Sequence, residues 1–263
     1  MEARREFYKQ ELIRNNMEKK GQVTIFIIVA IVIIGIAIAF FAFKDTLNIG
    51  KASSSDVDPI NTEFLSCLES TTEKGITFIA LQGGYYEIPE DMAFSYIVEK
   101  APYYYINSKK YIPSTERIER ELEKYINEKL ELCLNFSSFE VQGFEINNGD
   151  LSTSITVEEE KVYVDANYPL VIKKGEETYR MNEFKINTAS SLSRLYSASK
   201  EIVNSYYENP GFVCLGCLEE TSKKYEVAAK ATLVSDESSG ENIIWFSVQD
   251  DESELNWKFV VEQ

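Results

Sequence analysis

The chain has 263 residues, with 27 basic and 43 acidic side chains, four cysteines and no histidine, giving a net charge of −16. Without histidine there is no Ser-His-Asp or Cys-His nucleophile, no imidazole acid or base and no imidazole metal ligand. The acidic balance argues against nucleic acid as a partner, because binding phosphates needs a basic footprint. A content of 44% hydrophobic and 13% aromatic residues is enough to bury a core, and the length fits one large domain or two small ones.

Residues 1–21 read as a basic leader: Arg4, Arg5, Lys9, Arg14, Lys19 and Lys20 face four glutamates, a net charge of +2. Residues 22–43 (QVTIFIIVAIVIIGIAIAFFAF) carry no charge. At 1.5 Å per residue a helix of this length reaches roughly 30 Å, the thickness of a bilayer's hydrocarbon core. The spacing predicts a transmembrane helix, with the lipid bilayer as its partner. The positive-inside rule then places the N-terminus in the cytoplasm and residues 44–263 outside the cell membrane. With the leader's +2 removed, the remaining chain carries −18, so the exterior part is strongly acidic.

The junction Lys19-Lys20-Gly21-Gln22, followed by Val23-Thr24-Ile25-Phe26, resembles the class III signal of type IV pilin-like proteins, especially archaeal ones. The resemblance implies cleavage after Gly21 on the cytoplasmic side, leaving Gln22 as the mature N-terminus. An uncleaved signal anchor satisfies the charge rule equally well. Pilin subunits usually carry Glu at the fifth mature position, where this chain has Phe26. That departure counts against filament assembly and leaves anchoring untouched. The chain is also similar to uncharacterised single-pass proteins of small-genome archaea, a likeness that implies no activity.

Residues 44–55 read as a flexible stalk, small and polar from Asn48 to Ser55. Residues 56–138 read as a helix–hairpin–helix region. Asp58-Pro59 opens a helix, and Ile60, Phe64, Leu65 and Leu68 continue at helical spacing to Leu81, with a kink expected at Gly75. Gln82-Gly83-Gly84 reads as a cap and turn. Tyr103-Tyr104-Tyr105 and Tyr111-Ile112 flank a hairpin turn. Pro113-Ser114 opens a second helix with the apolar stripe Ile118, Leu122, Tyr125, Ile126, Leu130 and Cys133.

Residues 139–263 read as an α+β region with two strand groups. The first is a meander of short strands between Phe139 and Asn187, with turns at 147–150 and 173–176. A helix from Ser190 to Tyr207 stops at Asn209-Pro210-Gly211, and a short helix carries Cys214 and Cys217. Strands follow at 226–234, 243–248 and 255–261. Helices and strand groups segregate, so the fold class is α+β, built from helices and antiparallel β-meanders. The segments LSCLESTTEK (65–74) and LGCLEETSKK (215–224) are alike, as two amphipathic helices with a cysteine would be without duplication.

Outside the cell, four cysteines suggest two disulfides. Cys214 and Cys217 have the i, i+3 spacing that brings Cα atoms to about 5–5.5 Å on a helical turn. Cys67 and Cys133 then pair by default, and two other connectivities stay open. A thioredoxin-like site needs a strand feeding the helix, and Pro210-Gly211 stands where that strand belongs. A four-cysteine zinc site usually shows two CxxC pairs, and only one exists here.

Other candidates are weaker. Asn135-Phe136-Ser137 is an N-glycosylation sequon at Asn135. Glu158–Glu160, Glu176-Glu177 and the 250–254 acidic cluster offer carboxylates for hydrolysis or weak Ca²⁺ binding, without EF-hand spacing. Tyrosines at 85–86, 103–105, 111 and 206–207 offer an aromatic contact patch. The expectation is a membrane-anchored exterior protein that contacts a surface protein or glycan, with no cofactor, no metal and no catalytic residue assigned. The alternatives are a pilin-like filament subunit, and an envelope thiol oxidoreductase or carboxylate hydrolase.

Overall fold

A long helix, α1 (Asp58–Leu81), organises the fold, with Pro59 in its first turn as the fixed φ of proline favours. Its buried face runs Ile60, Phe64, Cys67, Leu68, Ile76 and Ile79. The computed structural model describes residues 57–235, 240 and 242–263. The leader, the apolar run 22–43, the stalk and the Gly21–Gln22 junction lie outside the described residues. Among the described residues no helix is long and apolar enough to cross a membrane. The described residues form one compact unit.

The fold is α+β. Against α1 lies α2 (Thr115–Cys133), capped by the Ser114 side chain, which accepts a hydrogen bond from the Arg117 N–H. The helices approach closely at Gly75, where a Cβ would lie 2.7 Å from Leu122 Cδ1 and 2.8 Å from Tyr125 Cδ1. The expected kink at Gly75 is absent: α1 is continuous there, and the glycine makes room for α2.

One sheet of six strands contains β1 (Ala93–Tyr96), β2 (Glu99–Ile106), β3 (Lys109–Lys110) and, from the end of the chain, β8 (Val227–Ser235), β9 (Asn242–Asp250) and β10 (Asn256–Glu262). Its order is β1-β2-β10-β9-β8, with β3 also on β2. The hairpin turn at Asn107-Ser108 has positive φ at both residues, as a tight turn of primed type requires. Its return arm is only Lys109–Lys110, and β2 instead lies between β1 and β10. The β2–β10 pair is parallel, so this sheet is mixed rather than wholly antiparallel. Phe246, Phe259 and Tyr104 stack across β9, β10 and β2, with centroids 5.1 and 4.7 Å apart.

The second sheet is built on β6 (Lys161–Lys174) and β7 (Glu177–Ala189), 14 and 13 residues long rather than short. Burial alternates strictly along β6, placing Val162, Val164, Ala166, Tyr168, Leu170 and Ile172 on the core face. The turn read at 147–150 does not close a hairpin. β4 (Phe144–Asn148) and β5 (Ser152–Val157) lie end to end on one edge of β6, paired with its second and first halves. They break opposite Tyr168-Pro169, where the β6–β7 register also shifts. Pro169 has no amide proton for the ladder, and its carbonyl accepts from Gly149 instead.

The free edge of β5 is covered by α2. Glu119 accepts from the Val157 N–H at 2.9 Å, and Glu123 accepts from the Ile155 N–H at 3.2 Å. Asn127 accepts from the Thr153 hydroxyl at 3.0 Å. Spacing of four brings these side chains onto one helical face, and they satisfy alternate residues of the strand. A one-turn helix α3 (Ser137–Glu140) leads into β4. The chain then leaves β7 for α4 (Leu192–Glu208) and α5 (Leu215–Tyr225), which pack together ahead of β8.

Candidate functional site

A cleft of about 980 Å³ opens where the first turn of α4, the end of β7, the C-terminal end of α5 and the β9–β10 turn converge. Its centre is Arg194. A basic residue in the first turn of a helix works against the helix dipole, so an anionic partner is needed to hold it. Asp250, only 4% exposed, supplies that partner at Nη2, and Glu226 lies 3.6 Å from Nη1. Ser253 also donates to Asp250, at 2.6 Å. Burial pushes the Asp250 carboxyl up, but the hydroxyl of Ser253, the Arg194 guanidinium and the Ser191 hydroxyl together outweigh it, and the pKa is lowered.

The cleft walls carry Glu73, Glu159, Glu160, Glu252 and Glu254, all exposed. Glu159 and Glu160 therefore line one cleft with Asp250, Glu252 and Glu254, and Arg194 lines it with them. Together they give the cleft an acidic lining, and the Asp250 carboxyl is held toward its ionised form by the Arg194 guanidinium. Among the described residues no group of three or more Cys, Asp or Glu is placed to hold a metal ion. Glu176 lies instead in the β6–β7 turn, away from the cleft lining.

Both disulfides are present. Cys67, buried in the middle of α1, is bonded to Cys133, the exposed last residue of α2, with Cα atoms 5.9 Å apart. Cys214 is bonded to Cys217, with Cα atoms 5.2 Å apart, inside the range expected from a helical turn. Cys214 is the N-cap of α5, and its Sγ accepts a hydrogen bond from the Cys217 N–H at 3.2 Å. No strand feeds this helix; residues 212–214 run irregularly from the end of α4.

Asn135 is exposed between α2 and α3, and its Oδ1 accepts from the Ser137 N–H and hydroxyl. The tyrosines do not form one surface patch. Tyr85, Tyr103, Tyr104, Tyr105 and Tyr206 are buried, while Tyr111 and Tyr207 are partly exposed. Tyr104 donates to the Gly83 carbonyl at 2.8 Å and accepts from Trp257 Nε1 at 3.0 Å. Burial pushes its hydroxyl well above the ordinary tyrosine range.

Two features escape the sequence reading. One is the Arg194–Asp250 pair, whose signal is the unsupported basic residue at a helix start. The other is Glu121, a carboxylate buried within α2. It receives Lys124 at 3.1 Å, Arg117 at 2.8 Å and the Tyr86 N–H at 3.0 Å, tying the turn after α1 to α2. Its signal is position, three residues after Ile118 on the apolar stripe. Comparison with protein-family models, with curated proteins and with solved structures finds no match to this chain.

Proposed function

We propose that the protein is a membrane-anchored exterior domain that acts by contact with other molecules of the cell surface, a protein or a glycan. Residues 22–43 form the anchor, the N-terminus is cytoplasmic, and residues 44–263 are outside. Processing after Gly21 accounts for the Lys-Lys-Gly-Gln junction. The observation that carries this reading is the closure of all four cysteines into two disulfides. Such bonds persist in oxidising compartments and are rare in a reducing cytosol. The uncharged run and its basic leader support the same orientation. The concave, acidic surface around Arg194 is the place assigned to the contact.

Topology is tested on intact cells with a membrane-impermeant, amine-reactive label followed by peptide mapping. Label is expected on exterior lysines such as Lys223 and Lys230 of intact cells. Lysines that stay unlabelled until the cells are lysed overturn the reading.

A further inference from the structure

We infer that the Cys214–Cys217 disulfide is an exchanging bond that accepts electrons from a partner dithiol, rather than a structural staple. The inference does not depend on the anchoring proposed above.

Three observations carry it. The first is what the bond closes. Cys67 and Cys133 are 66 residues apart and join two helices, whereas Cys214 and Cys217 are three apart and join nothing but one turn. Loop-closure stabilisation grows with the length enclosed, so the second bond has little to stabilise. The second is the place of Cys214. It caps an eleven-residue helix, with the Cys217 N–H directed at its sulfur. A thiolate at that position is held by the helix's positive end and by this N–H, which favours the reduced form and makes the disulfide the better oxidant.

The third is the surface around the sulfurs. Phe212 is 67% exposed and Leu215 is 74% exposed, one on each side of Cys214 in the chain. Both cysteines are half-buried, and they line a small cavity together with Phe212 and Val213. That arrangement suits an extended peptide that presents its own cysteine pair among apolar residues.

In the exchange, a partner thiolate attacks Cys214 Sγ. The Cys214–Cys217 bond breaks, a mixed disulfide forms at Cys214, and Cys217 leaves as a thiolate and takes up a proton. The partner's second thiolate then attacks its own sulfur in the mixed disulfide and releases Cys214 as a thiolate at the helix N-terminus. The partner dithiol loses two electrons and becomes a disulfide. Cys214 and Cys217 gain those two electrons, and the two protons released by the partner's thiols go to the reduced pair or to solvent.

The test uses the full-length chain in detergent, equilibrated with graded ratios of reduced to oxidised glutathione. Acid quenching, alkylation and peptide mass spectrometry then read each cysteine pair separately. The expected result is reversible half-reduction of Cys214–Cys217 at ratios where Cys67–Cys133 stays closed and the far-UV circular dichroism is unchanged. Opening of both bonds together, or only on unfolding, overturns the inference. A second arm compares single variants. Cys217→Ser is expected to trap glutathione at Cys214 at least tenfold faster than Cys214→Ser traps it at Cys217, and equal rates count against the assigned order of attack. In a third arm the probe is an apolar peptide carrying a reduced cysteine pair. Phe212→Ser with Leu215→Ser is expected to slow its oxidation severalfold while leaving the glutathione equilibrium alone; an unchanged peptide rate overturns the docking role of these two residues.

Discussion

At Gly83 the backbone has φ +54°, and a Cβ there would lie 2.6 Å from the carbonyl oxygen of Lys258. Two penalties coincide, a left-handed conformation and a clash with backbone. Gly83→Ala is expected to destabilise by about 2–4 kcal/mol in urea unfolding. The Gly-Gly pair was legible in sequence as a helix cap, but the approach of β10 was not, because nothing local encodes a contact made 175 positions later. Glu121 makes a sharper test. Burial raises its pKa, but Lys124, the Tyr86 N–H and Arg117 together outweigh this and the net pKa is lowered. A lowered folded-state pKa stabilises above the ordinary carboxylate value of about 4.3, and that stability is lost as pH falls through the folded value. The stability difference between the native chain and Glu121→Gln should therefore be largest near neutral pH and shrink as pH falls below the ordinary carboxylate value. A difference that grows on acidification would contradict the assignment.

The helices were the most readable elements, because their apolar periodicity and caps are local. Asp58-Pro59 and Ser114 open helices where the sequence places them, and the apolar stripe of the second helix is its buried face. The first strand group was less readable. Pro169 splits one edge of β6 between β4 and β5, and a turn signal at 147–150 looks alike whether the chain reverses there or merely bulges past a proline. Glu119, Glu123 and Asn127 carry no local mark of a tertiary role, yet this polar stripe covers the edge of β5. Replacing Glu119 and Glu123 together by Ala should raise amide hydrogen exchange at Val157 and Ile155 by tenfold or more, about 1.4 kcal/mol of opening free energy, while leaving β9 unaffected. Unchanged exchange at those two amides would show that solvent serves the edge equally well.

Across the whole domain, α1 and α2 are joined by the Cys67–Cys133 bond over a long loop that includes β1, β2 and β3. Opening it with paired serines should lower stability by about 4 kcal/mol by loop-closure entropy, read as a shift in the denaturation midpoint. The candidate cleft was only half legible. Its two acidic groups are visible as runs in the sequence, but their meeting around Arg194 depends on how β7, α4 and β9 pack. The proposed exterior domain, processed and oxidised on a membrane anchor, can be checked through the intact mass of the protein extracted from its native membrane, with and without reductant before thiol alkylation. The expected mass begins at Gln22 and takes up alkyl groups only after reduction. A mass beginning at Met1, with four cysteines alkylated without reductant and the protein recovered from the soluble fraction, would contradict it.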